Sequence, residues 1–183
     1  MNKTEYSPVL KLCITALCAA LNIAGAFLAL VLRLPIYLDS VVTILNAFIL
    51  GPVFGPVTAL ISSTISYFTS DPFAIAFMPD GVITGIIAGL LFNRTSLFKR
   101  KKLPLGVLIT TVPGTLYSAC IAAYLFSGNT SSGSSILVQV FNKMGMDLVA
   151  AAFLVQFITD YADRFISVLI SGALAKRLCK AHL

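Results

Sequence analysis

The chain has 183 residues, of which 58% are hydrophobic and only 11% charged, with a net charge of +6 and a mean hydropathy of +0.95. A soluble domain carries roughly 25% charged residues, so this composition belongs to an integral membrane protein. Nucleic acid is excluded as a partner, because the basic residues lie in short stretches beside apolar runs, where membrane topology already explains them.

In chain order, apolar runs and their breakers predict helices over about 9–32, 39–50, 53–69, 80–93, 104–126 and 162–178, with a further apolar stretch at about 136–159. A bilayer core takes about twenty helical residues to cross, so 39–50 and 80–93 must be shielded by protein or continue into partly buried loops. Short, broken helices in a membrane suggest a substrate cavity.

With the N-terminus inside, the loop "NRTSLFKRKK" falls on the cytoplasmic side, as do Lys3, Lys11, Lys176, Arg177 and Lys180. This is the positive-inside pattern. It requires an even number of crossings between Phe126 and Ala162, so the 136–159 stretch, with Gly145 at its centre, reads as a re-entrant or outward-facing hairpin of two short helices. A seven-span count would strand the C-terminal basic residues outside. The expected fold is all-α: a single membrane domain over 1–183, a six-helix bundle with short broken helices and an outer re-entrant hairpin.

Along helix one, Ala16, Ala20 and Ala24 recur every four residues and place three methyl-sized side chains on one face, suited to intramolecular packing or to docking of another membrane helix. Pro35 ends that helix, and "PIYLDS" becomes an outer loop whose Tyr37 and Asp39 can point into the bundle. Asp39 also occupies an N-cap position for the second helix. The doubled Gly-Pro of "GPVFGP" reads as a tight turn into helix three. Asp80 stands at the expected start of helix four, as a cap or a ligand contact. Tyr117, half-way along helix five, needs a polar partner or a ligand. "SGNTSSGSS" is a flexible outer loop or a lid, and "DYADR" places Asp160, Asp163 and Arg164 at the outer end of the last helix as an interfacial ion pair and cap. Catalytic machinery is not evident: the single histidine, His182, is next to the C-terminus, and neither a Walker A nor a GxSxG elbow is present. The four cysteines lack CxxC spacing, and no metal or other cofactor is implied.

Taken together, the alanine-striped first helix, "LPIYLDS", "GPVFGPVTALIS", "MPDGVITG", "FKRKK", "YLFSGNTSSGSS" and "DYADRFISVLISGALAKRL" resemble, in this order, the substrate-binding S component of energy-coupling factor (ECF) vitamin transporters. The resemblance covers essentially the whole chain. It implies a bacterial cell-membrane protein with both termini cytoplasmic, which binds a vitamin-like small molecule at its outer side and works with a transmembrane coupling subunit and two cytoplasmic ATPases. It also implies that Ala16, Ala20 and Ala24 face the coupling subunit, and that Tyr37, Asp39, Asp80, Tyr117, Asn142 and Asp147, with Asn46 and Gln156, contact the ligand. Tyrosines would stack on a flat ring while Asp and Asn read hydroxyls or ring nitrogens. Pyridoxine-type vitamin B6 comes first, followed by thiamine or its pyrimidine precursor, a nucleoside or a queuosine precursor. The riboflavin-type "KxDFSD" loop is replaced here by "IYLDS". A ligand-free membrane scaffold and an intramembrane enzyme are the alternatives from other classes.

Overall fold

The computed structural model describes residues 6–35, 37–95, 97–98 and 102–181. Lys3, Glu5, the basic run at Lys99, Arg100 and Lys101, and His182 lie outside the described residues, as do the side chains of Arg94, Lys176, Cys179 and Lys180. Among the described residues the chain is all-helical, in the order α1 (Pro8–Val31), α2 (Ser40–Leu50), α3 (Phe54–Thr69), α4 (Ala74–Arg94), α5 (Leu103–Tyr124), α6 (Ser135–Lys143) and α7 (Leu148–Ala181). Three helices, Pro8–Val31, Ala74–Asn93 and Leu103–Tyr124, are long and apolar enough to cross a membrane.

Side-chain polarity is arranged the opposite way to that of a water-soluble protein. Buried positions are small or polar, among them Thr15, Asn22, Thr43, Asn46, Thr58, Thr110, Thr111 and Ser167, whereas Leu12, Leu17, Val53, Phe68, Leu116 and Ile158 face outward. Burial in water would select against that arrangement, whereas lipid solvates the outer leucines and leaves helix contacts to small and hydroxylated residues. Buried Thr110 and Thr111 donate back to the carbonyls of Gly106 and Val107, which satisfies their hydroxyls within α5.

Two apolar clusters frame the interior. Ile44, Phe48, Ala88, Val107, Val168 and Ala175 join α2, α4, α5 and α7, with Phe48 stacked on Phe92 at 3.9 Å between ring centroids. Ala119, Ala123, Val138, Ala151, Ala152 and Val155 join α5, α6 and α7. The doubled Gly-Pro does more than turn the chain. A methyl at Gly85 would meet Pro56, and one at Gly89 would meet Pro52, so a four-residue glycine spacing on α4 receives both prolines at a close helix crossing.

The structure departs from the expected layout in three places. Where a hairpin was expected over 136–159, only α6 and a short turn stand apart; from Leu148 the chain continues unbroken through the expected last span as the 34-residue α7. At about 1.5 Å per residue, the nine residues of α6 reach only about 14 Å, short of a crossing. The described residues thus form seven helices, where six spans and a hairpin of two short helices were expected. Helix four starts at Ala74 rather than at Asp80, running through Pro79. Proline removes one helical donor there, and the Tyr117 hydroxyl donates to the neighbouring Ala76 carbonyl at 3.1 Å.

Candidate functional site

At one end of the bundle a cavity is bounded by α1, α2, α3, α4, α5 and α7 and by the α1–α2 and α5–α6 loops. Its floor is a polar relay: the Asn22 amide donates to Thr43 Oγ1 at 2.7 Å and to Ser62 Oγ at 3.5 Å. Serines at α3 positions 62, 63 and 66 carry this hydroxyl-lined wall upward.

The wall opposite is a charge network around Arg164. Its Nη2 lies 2.5 Å from Asp80 Oδ1 and its Nη1 3.3 Å from Asp160 Oδ2, while Nε donates to Thr84 Oγ1 at 3.1 Å. The same Asp160 oxygen accepts from the Thr115 hydroxyl at 2.7 Å. Gly114 makes the network possible, since a methyl at that position would collide with Asp80 Oδ1. Arg164 is 3% exposed, so "DYADR" is an interior network rather than an interfacial cap.

Two loops close the outer end. Leu38 has a positive φ of 57°, a conformation costing a non-glycine residue roughly 1–2 kcal/mol, and its N–H donates to Asp163 Oδ1 at 3.2 Å. That bond fixes the loop with Tyr37 and Asp39 on the cavity side. The serine-rich loop crosses above it. Ser131 donates to Asp71 Oδ2 at 2.9 Å, and Gly133 lies so close to the Arg33 carbonyl that a Cβ could not be accommodated. The lid reading of "SGNTSSGSS" thus has a structural basis in two pins, one to the α3–α4 turn and one to the α1–α2 loop.

Asp39 occupies the N-cap position of α2, yet its side chain makes no capping bond. Its pKa is pushed up to about 7, first by burial and then by the charges of Asp163 and Asp80, against the opposing pull of Arg164. Burial pushes the Tyr37 phenol up to about 12, with Asp71 and Asp39 adding to it and hydrogen bonds from Ser132 and Thr130 opposing it.

Of the residues singled out from sequence, Tyr37, Asp39, Asp80 and Gln156 line this cavity, with Asp80 inside α4 rather than capping it. Asn46, Tyr117, Asn142 and Asp147 do not. Asn46 is fully buried, donating to Thr15, Thr58 and the Phe54 carbonyl, and ties α1, α2 and α3 together. Asn142 donates to the Met146 carbonyl, closing the α6–α7 turn, and Asp147 caps α7 by accepting from the Val149 and Ala150 N–H groups. The cavity also draws on Asn22, Ser62, Asp71, Phe77, Thr84, Asp163 and Arg164, which sequence reasoning did not assign to a ligand. A lone Asn in an apolar helix was the available signal for Asn22, because an unpartnered amide in hydrocarbon is costly. Ala16, Ala20 and Ala24 lie exposed on α1, facing away from the bundle.

A family model described as "ECF transporter, substrate-specific component" matches residues 10–175. The chain belongs to this family. It is therefore a membrane-embedded S component: a substrate-specific subunit that recognises a small molecule for an ECF importer, whose membrane coupling subunit and ATPases supply the transport machinery. No curated protein and no solved structure matches the chain.

Proposed function

We propose that this S component captures a small, flat heterocyclic micronutrient in the cavity beneath the crossed loops and delivers it to partner subunits for ATP-driven uptake. The observation that carries this reading is a polar cavity built from helices throughout the chain and roofed by two mutually pinned loops. A scaffold would need no such enclosure. Tyr37 and Phe77 provide aromatic surfaces for a ring, and the surrounding Asp, Asn, Gln and Ser side chains suit ring nitrogens and hydroxyls. Pyridoxine-type compounds stand first, then thiamine or its pyrimidine precursor, nucleosides and queuosine precursors.

Ala16, Ala20 and Ala24 form the docking face for the coupling subunit. Their exposure supports this assignment: three small residues in a row, unused by the bundle itself, permit close approach of a partner helix. Both termini face the cytoplasm of a bacterial cell membrane, and the loops over the cavity face outward, in keeping with the basic residues beside the opposite helix ends.

The test is mass spectrometry of small molecules released on denaturing protein purified in mild detergent, followed by thermal-shift screening of B vitamins and nucleosides. A heterocycle bound by the wild type and lost in Asp39→Ala is the expected result. An empty protein that no compound stabilises, in detergent and in nanodiscs alike, refutes the binding role.

A further inference from the structure

Among the fully buried side-chain atoms on this cavity, those without a hydrogen-bond partner are acceptors. Asn22 is 1% exposed and gives its amide N–H groups to Thr43 and Ser62. The Ser62 hydroxyl donates to the Ala59 carbonyl at 3.2 Å, so towards Asn22 it can only accept, which orients the amide and leaves Asn22 Oδ1 without a donor. Gln156 Oε1 is likewise buried and unpartnered. The Asp39 carboxylate, released from capping α2, adds a third acceptor group on the same cavity.

Charge points in the same direction. Five aspartates line the cavity, at 39, 71, 80, 160 and 163, against the single arginine Arg164. That guanidinium is already engaged by Asp80, Asp160 and Thr84. Asp71 accepts from Ser131 and from the Phe73 N–H. Asp39 and Asp163 remain, on the α1–α2 loop and α7: among the described residues neither is ion-paired, although Asp163 accepts from the Leu38 N–H and Asp39 feels the charge of Arg164. Two neighbouring carboxylates in a shielded site repel unless a cation or a proton stands between them.

Resting on the reading of this cavity as the ligand site, we propose that the substrate is a cation rich in N–H donors: a heterocycle carrying a protonated amine, a protonated aminopyrimidine or a quaternised ring nitrogen. Its positive charge lies against Asp39 and Asp163, and its N–H groups reach Asn22 Oδ1 and Gln156 Oε1. Within the compounds named above, this chemistry places pyridoxamine and thiamine ahead of pyridoxine itself and of nucleosides, and it rejects carboxylate vitamins, for which the cavity lining offers no free cation.

The experiment is a binding titration of purified protein at neutral pH against compounds sorted by charge. Thiamine and pyridoxamine serve as cations, pyridoxine, riboflavin and adenosine as neutral compounds, and 4-pyridoxate, pantothenate and biotin as anions. Pyridoxamine, pyridoxine and 4-pyridoxate share one ring and differ at one substituent. The best cation is expected to bind about tenfold or more tightly than any neutral or anionic compound, the size of effect a charged hydrogen bond gives. Asp39→Asn and Asn22→Leu should each weaken that cation without producing binding of an anion. Should either variant fail to fold, the ranking of compounds on the wild type decides alone. A neutral or anionic compound that binds as tightly as the best cation and is weakened by Asp39→Asn or Asn22→Leu overturns the charge inference but leaves the cavity as the site. Tight binding that neither folded variant alters overturns the site reading, and a wild type that binds no compound of the panel overturns both.

Discussion

Replacing Gly114 by alanine tests the charge network at its tightest point. In the native structure Asp80 Oδ1 occupies the space the new methyl would take, and the Arg164 Nη2 that it pairs with lies 3.2 Å from the same position. The methyl fits only if Asp80 rotates off Arg164 or α5 withdraws from α4. Either movement breaks a buried ion pair, which costs about 3–5 kcal/mol when one partner is left uncompensated. Alanine returns about 1 kcal/mol over glycine through helix propensity, leaving a net loss of about 2–4 kcal/mol. In a chain of this size each kcal/mol moves the melting temperature by about 2–4 °C, so Gly114→Ala should melt about 4–16 °C below the wild type. Gly172→Ala is the control, because no heavy atom lies within 4 Å of its added methyl. It should melt at or slightly above the wild-type temperature. Thermal unfolding followed by circular dichroism in one detergent measures both variants. A Gly114→Ala protein that melts with the wild type, or a Gly172→Ala protein that loses as much, would show that the network does not depend on the bare backbone at 114.

Other expected outcomes address the loops, the docking face and pH. A side chain at Gly133 displaces the Arg33 carbonyl and unpins the roof, so Gly133→Val should release bound ligand faster while the melting temperature of the empty protein changes little; stopped-flow dissociation reads this, and an unchanged off-rate refutes it. Ala20→Trp puts a bulky ring on the exposed face of α1 and should abolish co-purification with the coupling subunit without altering ligand affinity. Full recovery of the complex would remove that face from consideration. Asp39, raised to about 7 and faced by Asp163, Asp80 and Arg164, holds its proton more tightly folded than unfolded. Its contribution to stability is therefore complete below about pH 4 and is lost as pH rises through about 7. The ligand-free protein should melt progressively lower across that upper window, and Asp39→Asn should flatten the profile; an equally steep profile in the variant assigns the dependence to another group.

Much of the helical layout was legible because apolar runs, prolines and glycines mark where helices can begin and end. Tyr37 and Asp39 were legible for the same reason, being polar residues placed by Pro35 in a loop flanked by membrane helices. What sequence could not show was partnership at a distance. Asp160, Asp163 and Arg164 look like the end of a helix when each charge is assumed to need water. Asp80 and Thr84 on another helix satisfy Arg164 instead, and α7 continues through the charged segment without a break. Asn46 and Asn22 pose the converse problem. Both are single amides in apolar helices, and only the positions of Thr15 and Thr58 around one and the open cavity beside the other separate a structural tie from a candidate ligand contact.

The Asp80–Arg164 pair also sets a schedule for making the protein. Its partners are separated by 84 residues, so at about 5–20 residues per second a ribosome adds Arg164 roughly 4–17 s after Asp80. During that interval α4 carries its carboxylate without the guanidinium that neutralises it, and loop residue Leu38 waits still longer for Asp163. The site exists only once the final helix has arrived, which makes α7 the closing piece of assembly and the nascent chain of α1 to α6 a species that depends on protonation of Asp80, or on the membrane-insertion machinery, to remain in the bilayer.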